Sequence, residues 1–408
     1  MKNDASCDVA VVGTGPAGLA AALALAASGV RVLAVGAAPG KRDTRTAALF
    51  AGSIKLLENL GIGDVCRAAG EPICAIRIFD DMGGLLRAPE VTFTATEAGL
   101  ERFGYNVPNA DLVDALRRRA GALPNLTLID AGVARVMVGE DGAELQLDDG
   151  RTFATKLIVG ADGRQSMCRQ AAQIGVKTWT YEQSAVTCSF KHQRPHGGIS
   201  TEYHRPAGPF TVVPSPDNAS SLVWVERPGT ARELAALDEA AFRVALEERL
   251  QGLLGVVGEI GARGAFPLSG LAADVAGRNR VALVGEAVHV IPPIGAQGLN
   301  LGLRDAACIA DCVADALAAG GDVGGPNVLE AYGRMRRTDI TSRIWTVDLL
   351  NRSLLSSAAP VQALRGLGLH ILKNVGPLRR LAIREGLGPS FIAPRLMQPT
   401  ATDEARGT

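Results

Sequence analysis

Two glycine-rich loops hold the residues best suited to chemistry. Near the start, Gly13-Thr14-Gly15-Pro16-Ala17-Gly18 has the G-x-G-x-x-G spacing. Gly13 permits a tight turn, Gly15 lets a pyrophosphate reach the backbone, and Gly18 lets a helix pack close to a strand. Far along the chain, Gly285 and Glu286 follow an apolar run. Pro292, Pro293, Gly295 and Gly298 then lead to a helical pattern that resumes at Asn300. A strand, a Pro/Gly loop and a helix start aim backbone N–H groups at an anion or an electron-rich ring. Together the loops imply one flavin nucleotide clamped between the beginning and the late middle of the chain.

The elements that must position these loops follow from periodicity. The pattern predicts a buried strand over 8–12, an Ala/Leu helix over 16–28 closed by Gly29, and a second strand over 30–35, which is a βαβ unit. The second strand of such a unit normally ends in an acid that holds the ribose hydroxyls, but here Val35 is followed by Gly36. A hydrogen bond to a charged acceptor is worth roughly 1.5–3 kcal/mol. The adenosine end is therefore expected to be held less firmly, and Gly36→Glu to tighten it; Asp43 has the wrong spacing to substitute. Residues 43–46 open a loop into a helix over 47–60, so Arg45 stands at a helix start, facing the nucleotide or solvated.

Residues 73–105 read as sheet with a Gly83-Gly84 turn, and 109–122 as a helix capped by Asn109. Strands over 133–138 and 144–147 flank a Glu140-Asp141-Gly142 turn. A buried strand over 156–159 ends in Gly160-Ala161-Asp162-Gly163-Arg164. From 176 to 266, short alternating runs divided by Pro, Gly and Asn suggest a mostly antiparallel sheet, interrupted by a helix over 238–250. The predicted fold class is α/β. A Rossmann-like FAD-binding domain spans 1–72, 106–175 and 277–326. An inserted, mostly antiparallel substrate domain spans 73–105 and 176–276, and a C-terminal helical region covers 327–408.

With 408 residues the chain can bury a large core. Lys plus Arg and Asp plus Glu balance at 42 each, so no global field favours nucleic acid. The seven cysteines are scattered and lack a CxxC pair, which argues against a disulfide framework or a zinc site and for a reducing cytoplasm. Cys308 and Cys312 share a helix face as packing groups. His192, His196 and His204 lie in a Pro/Gly-rich stretch without an acidic trio and read as surface histidines, so no metal is expected. Asp4 and Asp8 interrupt any signal-peptide pattern, and no run approaches the ~20 apolar residues that span a bilayer. The expected location is cytoplasmic, or peripheral to the inner membrane. Beyond residue 327, Arg334, Arg336, Arg337, Arg343, Arg352, Arg365, Lys373, Arg379, Arg380 and Arg384 outnumber Asp339, Asp348 and Glu385. Such helices pack on the domain, or touch a membrane surface or a protein partner.

Three motifs thus stand in order: GTGPAG at 13–18, GADG at 160–163 and GEAVHVIPPIGAQGLNLGLRDA from Gly285. That order resembles the aromatic-ring flavoprotein monooxygenases with one nucleotide-binding fold. TRTAALFAGSIKLLENLGI at 44–62, FGYNVPNADLVDAL at 103–116 and PPIGAQGLNLGLRD at 292–305 resemble the ubiquinone-biosynthesis hydroxylase family within them. The resemblance implies FAD at Gly13, Gly15, Pro16, Ala17 and Gly18, with Asp162 and Gly163 beside the nucleotide. It places Gly285 and Glu286, where relatives usually have Asp, at the ribityl–phosphate portion. Pro293, Gly295, Gln297, Gly298, Leu299 and Asn300 would meet the isoalloxazine ring, and Arg45 would stand beside it. It also implies that NAD(P)H docks transiently, that reduced flavin and O2 give a C4a-hydroperoxide, and that a polyprenylated phenol takes the distal oxygen. Ala110 stands where relatives often have Arg. With Gly36 and Glu286, this suggests that FAD is lost during purification. A hydroxylase of a small soluble aromatic and a non-catalytic flavin protein of a biosynthetic complex remain the alternatives.

Overall fold

The register of one sheet brings four strand ends level. In the computed structural model, which describes residues 5–37, 40, 43–82, 89–355, 368, 370, 374–387 and 393–399, the strand Ala5–Val12 lies at the centre of an eight-stranded sheet. It pairs in parallel with Val32–Gly36 on one side and Thr152–Gly160 on the other, with Val12 opposite both Val35 and Gly160. Gly160 in turn faces Leu283 of the parallel strand Val281–Leu283. The chain crosses to opposite sides of the first strand, so a crevice opens beyond these carboxyl ends, the usual ligand position in open α/β sheets. Gly13, Gly36, Ala161 and Gly285 all emerge along that edge.

The helix Pro16–Ala27 is apolar all round, and residues Gly18 to Ala26 are buried, as a helix enclosed on every side must be. It packs against the 22-residue helix Gln297–Ala318. Ala17 lies at this contact. Its Cβ lies 3.3 Å from where a Cβ would stand on Gly285 or on Gly302. The early and late glycine loops therefore meet.

A nine-stranded, mostly antiparallel sheet forms the second layer around the long strand Val176–His192. Ala75–Asp80 joins it in parallel with Ile199–Arg205, and Val91–Thr94 extends the edge. Its core gathers Phe190, Tyr203, Phe210, Trp224 and Phe242. Residues Gly83 and Gly84, the expected turn, lie outside the described residues.

Several expectations are corrected. Residues 47–50 are not helix. Thr46–Phe50 is a strand paired with Gly104–Pro108, and the helix begins at Ala51. Gly104 makes this pairing possible, because a Cβ there would sit 1.8 Å from the Leu49 carbonyl oxygen. Asn109 is inside its helix rather than its cap; its amide donates to Asp43 Oδ2 at 3.0 Å. The histidines are not a surface cluster. His192 and His204 are buried in the sheet, where His192 meets Ser220 and the Arg194 carbonyl, and His204 meets Glu202. Burial lowers the His192 pKa. Among the described residues no group of three or more His, Cys, Asp or Glu is placed to hold a metal.

The helix Pro326–Leu355 ties the layers together. Tyr332 donates to the Leu283 carbonyl at 2.6 Å, while Asn351 donates to Gln183 and Tyr181 to Asp348 in the second sheet. The arginines of this region are not one solvated face. Arg336 and Arg343 are buried, Arg379 pairs with Glu97, and Arg395 pairs with Asp311. Among the described residues no helix is long and apolar enough to cross a membrane.

Candidate active site

The crevice is built by glycines of two kinds. Gly13 (φ +110°) and Gly18 are packed: a Cβ on Gly13 would strike the Ala161 carbonyl at 2.2 Å, and one on Gly18 the Gly13 carbonyl at 2.0 Å. Gly15, Gly163 and Gly298 are open: among the described residues, no atom beyond the adjoining backbone lies within 4 Å of a Cβ added at any of them. Packed glycines shape the turn, and open ones leave backbone bare for a close-approaching ligand. Gly15 precedes Pro16 at the helix start, and no side chain caps that terminus. Its first-turn N–H groups and dipole suit a pyrophosphate. A cleft of about 220 Å3 continues past Gly13, lined by Val35, Gly36, Gly132, Val133 and Asp162. These features fit an elongated dinucleotide.

Gly36 does not leave room for the missing acid. A Cβ there would lie 2.4 Å from Thr14 Oγ1 and 2.7 Å from the Thr14 backbone nitrogen. The expectation that Gly36→Glu tightens binding is therefore overturned, because the collision includes backbone and cannot be relieved by a rotamer change. Asp43 is also committed elsewhere. It accepts from Arg45 Nε and Nη2 at 2.9 and 2.8 Å and from Asn109. Burial opposes ionisation of Asp43, but Arg45 and Asn109 outweigh it and hold the carboxyl down to about 2. Arg45 stands half-exposed, its guanidinium 5.8 Å from the centre of the Phe266 ring.

The middle motif is held from inside. Asp162 accepts from Ser166 Oγ at 2.6 Å and from the Cys168 N–H at 3.1 Å, so its carboxylate props the turn into the helix Met167–Ala171. Arg169, which no sequence motif singled out, is buried and donates to the carbonyls of Ala287 and Arg164, both at 2.8 Å. It bolts the middle loop to the late one. Glu286 is exposed and ion-paired with Arg164 at 3.0 Å, and Arg164 also donates to Ser269 of the second sheet.

In the late loop, side chains and backbone divide the work. The helix starts at Gln297, not Asn300, through two left-handed residues, Gly295 (φ +65°) and Ala296 (φ +53°). Pro293, Gly295 and Gly298 are exposed, and Leu299 is half-buried. Gln297 and Asn300 are buried and turned into the protein. Gln297 donates to the carbonyls of Gly295 and Gly386. Asn300 accepts from the Phe50 N–H and Ser53 Oγ, and donates to the carbonyls of Ala48 and Ala296. The N-cap residue, Ala296, has no side chain that could cap this helix, so its first N–H groups are left without an N-cap partner.

Beneath the loop lies a buried charge network. Asp305, fully buried, accepts from the Gly285 N–H at 2.9 Å, His289 Nε2 at 2.8 Å and Arg336 Nε at 2.7 Å. Arg336 and Arg304 both pair with Asp339 at 2.8 Å. Burial resists ionisation of Asp305, but His289, Arg336 and the Gly285 N–H together overcome it and hold the carboxyl down to about 2. The only sequence signal for this cluster was charge at Arg304 and Asp305 amid apolar helix positions. By contrast, burial pushes the thiols of Cys308 and Cys312 up, to about 11 and about 12, and all seven cysteines are free. These two are packing groups, not nucleophiles.

Comparison with known proteins agrees with this geometry. Residues 6–344 match the family model described as an FAD binding domain. A ubiquinone hydroxylase, UbiL of Rhodospirillum rubrum, is 36% identical over 405 residues, covering 97% of this chain and 93% of the relative. The 3-demethoxyubiquinol 3-hydroxylase of Escherichia coli is 32% identical, covering 93% of this chain and 98% of its own length. Among solved structures, p-nitrophenol 4-monooxygenase PnpA of Pseudomonas putida shares the fold, with a TM-score of 0.78 at 20% identity over 95% of this chain and all of the other. The chain belongs to the FAD-dependent monooxygenases, in the family of the ubiquinone-biosynthesis hydroxylases.

Proposed function

We propose that this enzyme hydroxylates the aromatic ring of a polyprenylated phenol on the way to ubiquinone, using NAD(P)H and O2. The observation that supports the site assignment is the meeting of the first glycine-loop helix with Gly285 and Gly302 at Ala17, together with uncrowded backbone at Gly15, Gly163 and Gly298. The substrate class follows from the two curated relatives, both named for quinone hydroxylation and both matched over nearly their whole length.

FAD, held by the residues below, would supply the redox chemistry that links NAD(P)H and O2 to ring hydroxylation. The residues of the chain do the rest. Gly13 to Gly18 cradle the pyrophosphate at a helix N-terminus. The N-terminus at Gln297, where Ala296 makes no side-chain cap, would offer N–H groups and a positive dipole end to the flavin ring. Pro293, Gly295 and Gly298 form the exposed rim on which the phenol is oriented. Gln297 and Asn300 keep that rim rigid, and Arg45 with Glu286 and Arg164 lines the approach. No nucleophilic side chain is needed.

The test is Gly298→Val. Among the described residues no atom beyond the helix's own backbone lies within 4 Å of a Cβ added at Gly298, so the variant should fold and keep FAD through the Gly15 loop. It should lose hydroxylation or uncouple NAD(P)H oxidation into peroxide. Flavin content, NAD(P)H consumption and product are measured together, and normal coupled turnover would remove the late loop from the active site. Quinone profiling of a deletion strain identifies the substrate, since the accumulated intermediate names the missing hydroxyl. An unchanged quinone pool would instead point to a soluble aromatic.

A further inference from the structure

Half of the large apolar side chains that the described residues leave in water belong to two C-terminal helices. On Pro326–Leu355, Trp345 is 70% exposed and Leu349 is 68% exposed. Arg352, also exposed, follows at the next turn of the same face. Spacings of four and seven residues make this one stripe. The opposite side, with Arg336, Ile340, Arg343, Val347, Asn351 and Leu354, is buried against the protein, so the stripe is not misplaced core. The helix Gly376–Leu387 repeats the arrangement. Leu378 and Leu381 are exposed beside Arg380 and Arg384, while Ile383 is buried and Arg379 is held by Glu97.

We propose that these two helices dock on an anionic lipid bilayer, with Trp345, Leu349, Leu378 and Leu381 entering the interface and the arginines meeting lipid phosphates. The charge of the surface favours a bilayer. Arg334, Arg337, Arg352, Arg380 and Arg384 are exposed, with Arg334 paired to Glu330 and Arg352 to the half-buried Asp348, and on the described parts of these helices Glu330 is the one exposed acid. A tryptophan and leucines ringed by cations match an interfacial helix face, apolar side sunk to the headgroup level and basic groups at anionic lipid. The proposal rests in part on the reading of a lipid-tailed substrate, but its test uses no substrate.

The FAD-loaded enzyme is mixed with vesicles of phosphatidylcholine alone or with phosphatidylglycerol. Wild type should float with the anionic vesicles and only weakly with the neutral ones. Trp224 is buried and Trp179 hydrogen-bonded to Tyr181, so Trp345 is the water-facing reporter. Its emission should shift to the blue on binding and be quenched by brominated lipid. Trp345→Phe should keep binding but lose most of the shift. Trp345→Glu with Leu349→Glu should weaken binding by roughly tenfold or more, with flavin content and NAD(P)H oxidation retained. The proposal is overturned if wild type ignores anionic vesicles, if the double variant binds as wild type does, or if Trp345 is already shielded in buffer. It is equally overturned if the double variant instead splits a dimer in sedimentation, because a second copy then covers the face. A soluble-aromatic substrate with intact vesicle binding would refute the substrate reading alone.

Discussion

Replacing Asp305 by Asn preserves shape and removes charge, and the structure lets its cost be reasoned atom by atom. Asp305 Oδ2 accepts from the Gly285 N–H and His289 Nε2, and Oδ1 accepts from Arg336 Nε. An asparagine has one acceptor oxygen and one NH2 donor. Whichever way it is turned, the NH2 faces a donor, either Arg336 or the Gly285 and His289 pair. Arg336 also loses one of its two carboxylates in a site 3% exposed. Breaking a buried pair from one side costs about 3–5 kcal/mol. The variant is expected to unfold at correspondingly lower urea, followed by circular dichroism. The Gly285 loop should loosen and flavin be lost earlier than global structure. Arg336→Met should cost a similar amount, and the double variant less than the sum. The wild-type carboxyl falls from 3.8 to about 2 on folding. A depressed pKa stabilises above the unfolded value, so about 2 kcal/mol is present above pH 4 and is lost as pH falls toward 2. Asp305→Asn should flatten that acid limb. A variant within about 1 kcal/mol of wild type, or strictly additive with Arg336→Met, would refute the network as a unit.

Gly15→Val should fold normally, since its backbone is extended (φ −73°) and its Cβ site is empty, yet bind no FAD by flavin absorbance; full occupancy would move the pyrophosphate elsewhere. Gly36→Glu should weaken FAD binding because Thr14 is displaced, and a tighter dissociation constant would show that the loop yields at little cost. Arg169→Met removes two charge-assisted bonds between the middle and late loops, for an expected loss of about 3 kcal/mol seen in thermal melts; an unchanged melting temperature would contradict the bracing role.

The sequence was most readable where the chemistry is local. Gly13, Gly15 and Gly18 sit within six residues, so spacing alone indicated both turn and helix. Residues 47–50 mislead because Ala-Ala-Leu-Phe is helix-tolerant. Pairing with Gly104–Pro108 decides their state, and that partner lies more than fifty residues away. Periodicity puts the start of the late helix three residues too far along, because Gly295 and Ala296 enter it left-handed and mask its first turn. The roles of Gln297 and Asn300 were invisible, since their partners Gly386, Phe50 and Ser53 are remote in sequence. The same distance hid His289, Arg336 and Arg169. Nor could composition show that the C-terminal arginines divide between internal pairs and open surface.

That division links the two halves of the protein. On Pro326–Leu355, Arg336 and Asp339 are locked beneath the flavin loop, and Asp348 and Asn351 to the second sheet. Trp345 lies between these fixings on the opposite face. From Arg336 to Trp345 is nine residues, roughly 13 Å along a helix. A helix pinned at both ends cannot rotate independently of what it is pinned to. Docking through Trp345 would therefore fix the tilt of the crevice relative to the bilayer, holding the Pro293–Gly298 rim in a constant orientation to the surface that supplies a lipid-tailed phenol. The buried Asp305 network then does two things. It holds the Gly285 loop proposed to meet the cofactor, and it would transmit the orientation of the docked helix to that loop. Loosening it by Asp305→Asn should accordingly impair coupling on vesicle-borne substrate more than on a short-tailed analogue in solution. Equal losses on both would confine the network to holding the loop.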